Sequence, residues 1–295
     1  VETETHRTKS KWVAKVFGEL GRRRTTIRAL YYYALRREES DYPICGGFVG
    51  EIRITRPVHE SDGDRIYKWA KTSQMLGYLP EDVFLEEGTG HFVHIPPETA
   101  GGRRVELWIS RSIFCPLLLP VCQRHRAALV SVGRRPPQEA LRELGRRSDK
   151  PTTILCLSDL SVEDFSFSGD LAERIFENEA FAGKDVRLMH LALNPMQVAR
   201  LAMPMVPGKK VSKDERERYK KYLRPYAMDH RRMAELDALE AFCPGGIAGF
   251  VDRRLAEVSS TSSKSREALL LDLKKGIGPG SGEASGAGKP GHLKD

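Results

Sequence analysis

Three stretches of this chain carry side chains able to do covalent or metal chemistry. The first is TTIRALYYY, residues 25 to 33, where Arg28 stands four positions, about one helical turn, before Tyr32. A phenol is a poor nucleophile until it loses its proton, and a nearby guanidinium favours phenolate character. On residue types alone, Tyr31, Tyr32 and Tyr33 read first as aromatic packing on a helix. The second stretch is LCLSDLSVEDFSFSGDL, residues 155 to 171, which gathers the carboxylates Asp159, Glu163 and Asp164 among serines. The third is AELDAL, residues 234 to 239, whose Glu235 and Asp237 read by themselves as helix-cap or ion-pair residues.

Other chemistries have weaker support. His91 and His94 could share one side of an extended turn, but they read as surface residues rather than a zinc site. Ser158-Asp159 has no Gly-x-Ser-x-Gly elbow and no positioned histidine. The chain has no Gly-x-x-x-x-Gly-Lys-Ser/Thr phosphate loop, so any ATP dependence would come from a partner. Cys45, Cys115, Cys122, Cys156 and Cys243 are scattered without a Cys-x-x-Cys pair, which reads as ordinary buried thiols.

The elements that must position these residues follow from hydrophobic period. Trp12, Val13, Val16, Phe17 and Leu20 form one helical stripe, and a second helix begins at Thr25 or Thr26, either of which can cap it. Residues Arg65 to Gly77 repeat the pattern, with Ile66, Trp69, Ala70, Ser73 and Leu76 on one face and Gly77 as a stop. Short extended segments at Phe48 to Ile54 and His91 to Ile95 fit a wing packed on those helices. After Thr99-Ala-Gly-Gly102 the texture changes to apolar strands at Val105 to Ile109, Ala127 to Val132, Thr153 to Leu157 and Val186 to Leu191. Helices expected at Ser112 to His125, Pro137 to Arg147 and Leu171 to Phe181 separate them, and alternation of this kind predicts a mostly parallel α/β sheet. Gly245 to Val258 supplies a last helix, and the Gly-, Ser- and Pro-rich end predicts a disordered tail. The expected division is residues 1–100, 101–275 and a tail over 276–295.

Of 295 residues, 40% are hydrophobic and 30% charged, enough for real cores under a charged surface, and the net charge is +8. Basic clusters such as Arg22-Arg23-Arg24, Arg134-Arg135 and Lys209-Lys210 favour a polyanionic partner, or are solvated charge mixed with the 40 acidic residues. No apolar run approaches the roughly 20 residues of a membrane span, and VETETHRTKSKW lacks a signal peptide's hydrophobic centre. The expectation is an intracellular protein, cytoplasmic or nucleoid-associated.

Four segments, TTIRALYY (25–32), YKWAKTSQMLGYLPEDV (67–83), VELWISRS (105–112) and AELDAL (234–239), occur in an order that resembles the topoisomerase VI A subunit, its meiotic break-forming relatives and their short standalone homologues. The resemblance implies a helical winged-helix domain followed by a Toprim domain, Rossmann-like with a mostly parallel sheet. It implies that Tyr32, supported by Arg28, attacks a DNA phosphodiester to leave a 5′-phosphotyrosyl end. It also implies a homodimer, in which one subunit's tyrosine works beside the other's Mg²⁺ site, and a separate ATPase subunit. The chain departs from the family where the acids matter: Ser110 stands where the first-strand glutamate is usual, Arg111 where a lysine follows, and Ser161 where the second aspartate belongs. A shifted register led by Asp164 places Ser166 at that second position instead. Glu106 shares the strand face of Ser110 but lies roughly 13 Å away along the strand. Asp159, Glu163 and Asp164 then remain as metal candidates, Glu235 and Asp237 border them, and Gln197 of Asn194-Pro195-Met196-Gln197-Val198 reads as structural. The expected function is DNA binding, either with topoisomerase-like cleavage or with the fold kept for dimerisation and duplex capture and the chemistry eroded.

Overall fold

The computed structural model describes residues 3–49, 52–88, 91–96 and 102–260, so the expected tail over 276–295 and most of the Thr99 to Gly102 break lie outside the described residues. At the amino end the apolar stripe forms helix α1 (Glu4–Leu20), begun by the Thr3 side chain accepting from the His6 amide and closed at Gly21 in the left-handed region. Helix α2 (Ile27–Arg36) starts where Thr26 accepts a hydrogen bond from the Ala29 amide at 2.9 Å. An antiparallel pair, β1 (Tyr42–Val49) and β2 (Ile52–Arg56), leads to α3 (Gly63–Met75). These pieces lock through aromatic rings: Trp12 meets Tyr42 and Trp69 edge-on, and Tyr42 stacks on Trp69 at 4.9 Å.

The rest of the chain runs β3 (Phe92–His94), β4 (Arg104–Ile109), α4 (Cys115–Arg124), β5 (Ala128–Ser131), α5 (Gln138–Arg147), β6 (Thr152–Leu157), α6 (Phe167–Phe176), β7 (Val186–Ala192), α7 (Pro195–Arg200), β8 (Val206–Pro207), α8 (Lys213–Leu223), β9 (Arg232–Met233), α9 (Leu236–Phe242) and α10 (Gly246–Ser260). The central sheet has the order β3-β5-β4-β6-β7, with β5, β4, β6 and β7 parallel. The fold is therefore α/β around a mostly parallel sheet. Strands β5 and β6 are buried along their whole length, which explains their near-continuous apolar sequence.

One expectation needs correction. The segment His91 to Ile95 does not form a wing on the amino-terminal helices: Phe92–His94 pairs antiparallel with β5 as an edge of the central sheet. Three residues are too few for alternation to fix a partner, and the open ladder of β5 supplies one. Helix α6 also begins at Phe167 rather than Leu171 and ends at Phe176, after which Asn178 caps a separate 3₁₀ turn over Glu179–Phe181.

The two faces of the sheet feed different cores. Trp108, Ile154 and Cys156 meet Leu141, Leu144, Phe167 and Leu171 on one side. Leu107, Ile109, Leu155 and Leu157 belong to a larger cluster that continues through Trp12, Leu30 and Tyr32 to Leu239 and Leu255. The amino-terminal helices and the sheet thus share one core, and residues up to Ser259 form one compact unit.

Candidate functional site

Strands β4 and β6 are paired in register with Ile109 opposite Leu157, so the residues that follow leave the sheet at one end. The carboxyl ends of parallel strands are where open α/β sheets place their ligands. From β4 come Ser110 and Arg111, and from β6 come Ser158 and Asp159. A backbone exchange between Leu160 and Ala234, at 2.9 and 3.0 Å, ties the loop after β6 to the start of α9. Asp159 completes that tie by accepting from the Leu236 amide at 2.7 Å. AELDAL is thereby delivered to the same end of the sheet, and Glu235 and Asp237 face helix α2.

The acids at the start of α9 and along it all have partners there. Glu235 accepts from the Tyr32 hydroxyl at 2.7 Å and, through the same oxygen, from Arg28. Asp237, completely buried, accepts from the Thr26 hydroxyl on one oxygen and from Arg111 on the other. Glu240 accepts from Thr25 at 3.2 Å and from the Ile247 amide at 2.8 Å, with Arg22 at 3.4 Å. Arg111 also lies 4.0 Å from Asp159 and 3.9 Å from Glu87. The sequence pointed to Arg28, Tyr32, Glu235 and Asp237, and the fold brings all four together. The sequence marked Thr25 only as a possible helix cap and Arg22 only as part of a basic cluster, and gave no sign of Glu240 or of the contact among the three, since such a residue is ordinary until its partner is known.

Tyr32 is 0% exposed. Burial, reinforced by the Glu235 carboxylate, holds its phenol well above the usual tyrosine range, while Arg28 pulls the other way. A phosphodiester has no path to this oxygen in the conformation described. Arg28 and Arg111 pair with their acids strongly enough to overcome the burial that disfavours charge, and both stay protonated. Asp159 shows the opposite outcome: burial pushes its carboxyl up to about 7, helped by Asp164 and Glu235 and resisted by Arg111 and the Leu236 amide.

The three metal candidates after β6 do not converge on a point. Asp159 is turned toward Leu236 and Arg111, Glu163 pairs with Arg134 at 2.8 Å, and Asp164 accepts from the Ser161 hydroxyl at 3.0 Å with Arg134 at 3.3 Å. Among the described residues no group of three or more His, Cys, Asp and Glu side chains could hold a metal ion. Ser110 and Ser161 contribute no charge, and the Ser110 hydroxyl is buried without a hydrogen-bond partner. Glu106 is no substitute, because it is clamped by Arg147 at 2.7 and 2.9 Å and accepts from the Trp108 indole at 2.9 Å. The donor set does not fit Mg²⁺, which needs several free hard oxygens. Gln197 is the reciprocal partner of Asn194 at the start of α7 and donates to the Leu191 carbonyl at 2.8 Å, a packing role.

An open cavity of about 540 Å³ adjoins the cluster, lined by Arg28, Tyr31, Tyr67, Lys71, Arg111 and Asp237 among others. Outside it, Arg65 and Lys68 are exposed on α3, and Lys9 of α1 lies over the Trp69 ring. No helix among the described residues is long and apolar enough to cross a membrane. Comparison with models of known protein families and with curated proteins found no match to this chain.

Proposed function

We propose that this chain is a duplex-DNA-binding protein of the topoisomerase VI A type in which strand cleavage has been replaced by internal ion pairing. The observation that carries the reading is Arg111: its guanidinium sits between Asp237 and Asp159, where cleavage chemistry would want free carboxylates. The buried Tyr32, held by Glu235, supports the same view. On this reading the winged-helix and Toprim resemblance describes ancestry of form, and the homodimer and the separate ATPase subunit are partners for duplex capture. Binding rests on the basic surface around Arg65, Lys68 and Lys9, through bonds to phosphates whose affinity falls steeply with salt.

The test incubates the protein with supercoiled and linear duplex plus Mg²⁺ or Mn²⁺, then quenches with detergent. The expected result is salt-sensitive binding without protein on any DNA end, and equal binding by Tyr32→Phe. Replacing Lys68 and Arg65 by alanine should make the fall of log K with log salt shallower by about 0.9 for each phosphate no longer neutralised. Covalent attachment that disappears in Tyr32→Phe overturns the loss of cleavage, and absence of duplex binding at low salt overturns the DNA reading itself.

A further inference from the structure

Residues 208 to 231 leave the core and return to it as one excursion. Its ends are tied at the short β8–β9 ladder, where the Gly208 amide donates to the Arg231 carbonyl at 2.7 Å. Between them α8 turns Tyr219, Tyr222 and Leu223 inward at helical spacing, and the buried Tyr219 hydroxyl donates to the Leu160 carbonyl at 3.0 Å. That bond fixes the helix on the loop after β6. The excursion holds nine Lys and Arg against four Asp and Glu, a surplus of five in a chain whose net charge is +8. Glu217 takes Lys220 at 3.7 Å and Glu163 takes Lys209 at 3.9 Å, but Arg216, Lys221 and Arg224 are exposed with no ion pair among the described residues. Cations crowded without acids repel one another, so the fold gains nothing from them, whereas a polyanion would.

Aromatic rings run through the same surface. Phe165, on the loop after β6, packs against Tyr219 at 5.3 Å and stacks on Tyr222 at 5.7 Å, and Tyr222 meets Tyr226 at 6.4 Å. The ladder thus begins at a buried ring and ends at two half-buried ones, Tyr222 and Tyr226. Tyr226 closes a 3₁₀ turn over Arg224–Tyr226, in which Pro225 fixes the backbone. Exposed Arg218 lies one helical turn before Tyr222, and Lys221 and Arg224 stand on either side of it in sequence. We propose that this excursion binds single-stranded nucleic acid, with Tyr226 as a platform for an unpaired base and Lys221 and Arg224 against the phosphates. Charge alone suits any polyanion, and the rings narrow the choice. A duplex keeps its base faces stacked on one another and meets only the cations, while an unpaired strand lays a base on the tyrosine as well. These residues differ from those given above for duplex binding, and the two surfaces are tested separately.

The test follows fluorescence anisotropy of a labelled oligothymidylate of about 16 bases, the upper end of common single-strand site sizes, and of a duplex of equal length. Wild type, Tyr226→Leu, Tyr226→Phe and the double variant Lys221→Gln/Arg224→Gln are compared at several salt concentrations. Tyr226→Leu keeps apolar bulk without the ring, so it should bind the oligothymidylate at least about fivefold more weakly with an unchanged salt slope, and Tyr226→Phe should bind as wild type does. The double variant should make the slope shallower by about 0.7 for each phosphate no longer neutralised. Duplex affinity should be the same in Tyr226→Leu and wild type. Failure of the wild type to bind the oligothymidylate at low salt overturns the proposal. So does equal binding by Tyr226→Leu, which would mean a surface that reads charge alone, or a loss of binding only when Arg65 and Lys68 are replaced. Single-strand binding through Tyr226 without duplex binding would remove the duplex reading and leave this surface standing, and the converse pattern would do the reverse. If Tyr226→Leu does not fold, ultraviolet crosslinking of wild type to a bromodeoxyuridine-substituted strand decides: an adduct within residues 221–226 is expected, and adducts only elsewhere overturn the assignment.

Discussion

Replacing Tyr32 by phenylalanine removes one oxygen from a site that solvent does not reach. The phenol donates to Glu235 at 2.7 Å, and a hydrogen bond to a charged acceptor contributes about 1.5–3 kcal/mol. Glu235 keeps Arg28 in the variant, so its charge is not stranded and the lower half of that range applies. For a domain of this size each kcal/mol moves the melting temperature by about 2–4 °C, which places Tyr32→Phe roughly 3–9 °C below wild type. Urea denaturation should show a lower midpoint with an unchanged slope, because the surface exposed on unfolding is the same. A cycle with Glu235→Gln should give a coupling above about 0.5 kcal/mol, since the two groups are hydrogen-bonded. A hydroxyl held ready for attack on DNA would gain nothing from Glu235 in the resting protein. Its removal would leave stability unchanged or raised, and that result would refute the account of Tyr32 as a satisfied core residue.

Three further outcomes follow from the same geometry. Gly246 has a backbone in the left-handed region, and a Cβ there would press into the Glu240 carboxylate, so Gly246→Ala should lose at least about 1–2 kcal/mol from the backbone term alone; calorimetry showing no loss would contradict it. Asp159 has a folded pKa raised above its unfolded value, so the folded state holds the proton more firmly, and its contribution is most favourable below about pH 4 and declines as pH rises toward 7. Asp159→Asn keeps an acceptor for the Leu236 amide and should flatten that decline, seen as a urea midpoint that changes less between pH 4 and 8 than in wild type; parallel profiles would count against the shift. Burial pushes the Cys115 thiol up to about 11 and the Cys122 thiol up to about 12, and Cys156 and Cys243 are raised as well. A disulfide reagent near neutral pH should therefore leave these four unreacted until denaturant is added, and fast reaction of more than one of the five thiols would be inconsistent with the core described.

The α/β class, the four parallel strands and most helices were legible because burial imposes a period on the sequence. Val105 to Ile109 and Thr153 to Leu157 are apolar at nearly every position, and only a strand covered on both faces requires that. The helix cap could be narrowed to Thr25 or Thr26 because capping is local, decided within three residues, and Thr26 takes it. Phe92–His94 was misplaced because a three-residue strand carries no period long enough to choose between a hairpin and the edge of a distant sheet.

The chemistry of the acids was a different matter. The sequence by itself determined which groups are present: Tyr32 one turn after Arg28, serines at 110 and 161, and carboxylates at 159, 163, 164, 235 and 237. Whether those carboxylates are free to act was decided only by tertiary structure, which turns Asp237 and Asp159 to Arg111, Glu163 to Arg134, and Glu235 to Arg28 and Tyr32. The reason is physical: a residue's type is fixed by the chain, but its charge state and availability depend on burial and on partners as far away as Arg28 is from Glu235, 207 positions, and these exist only once the chain has folded.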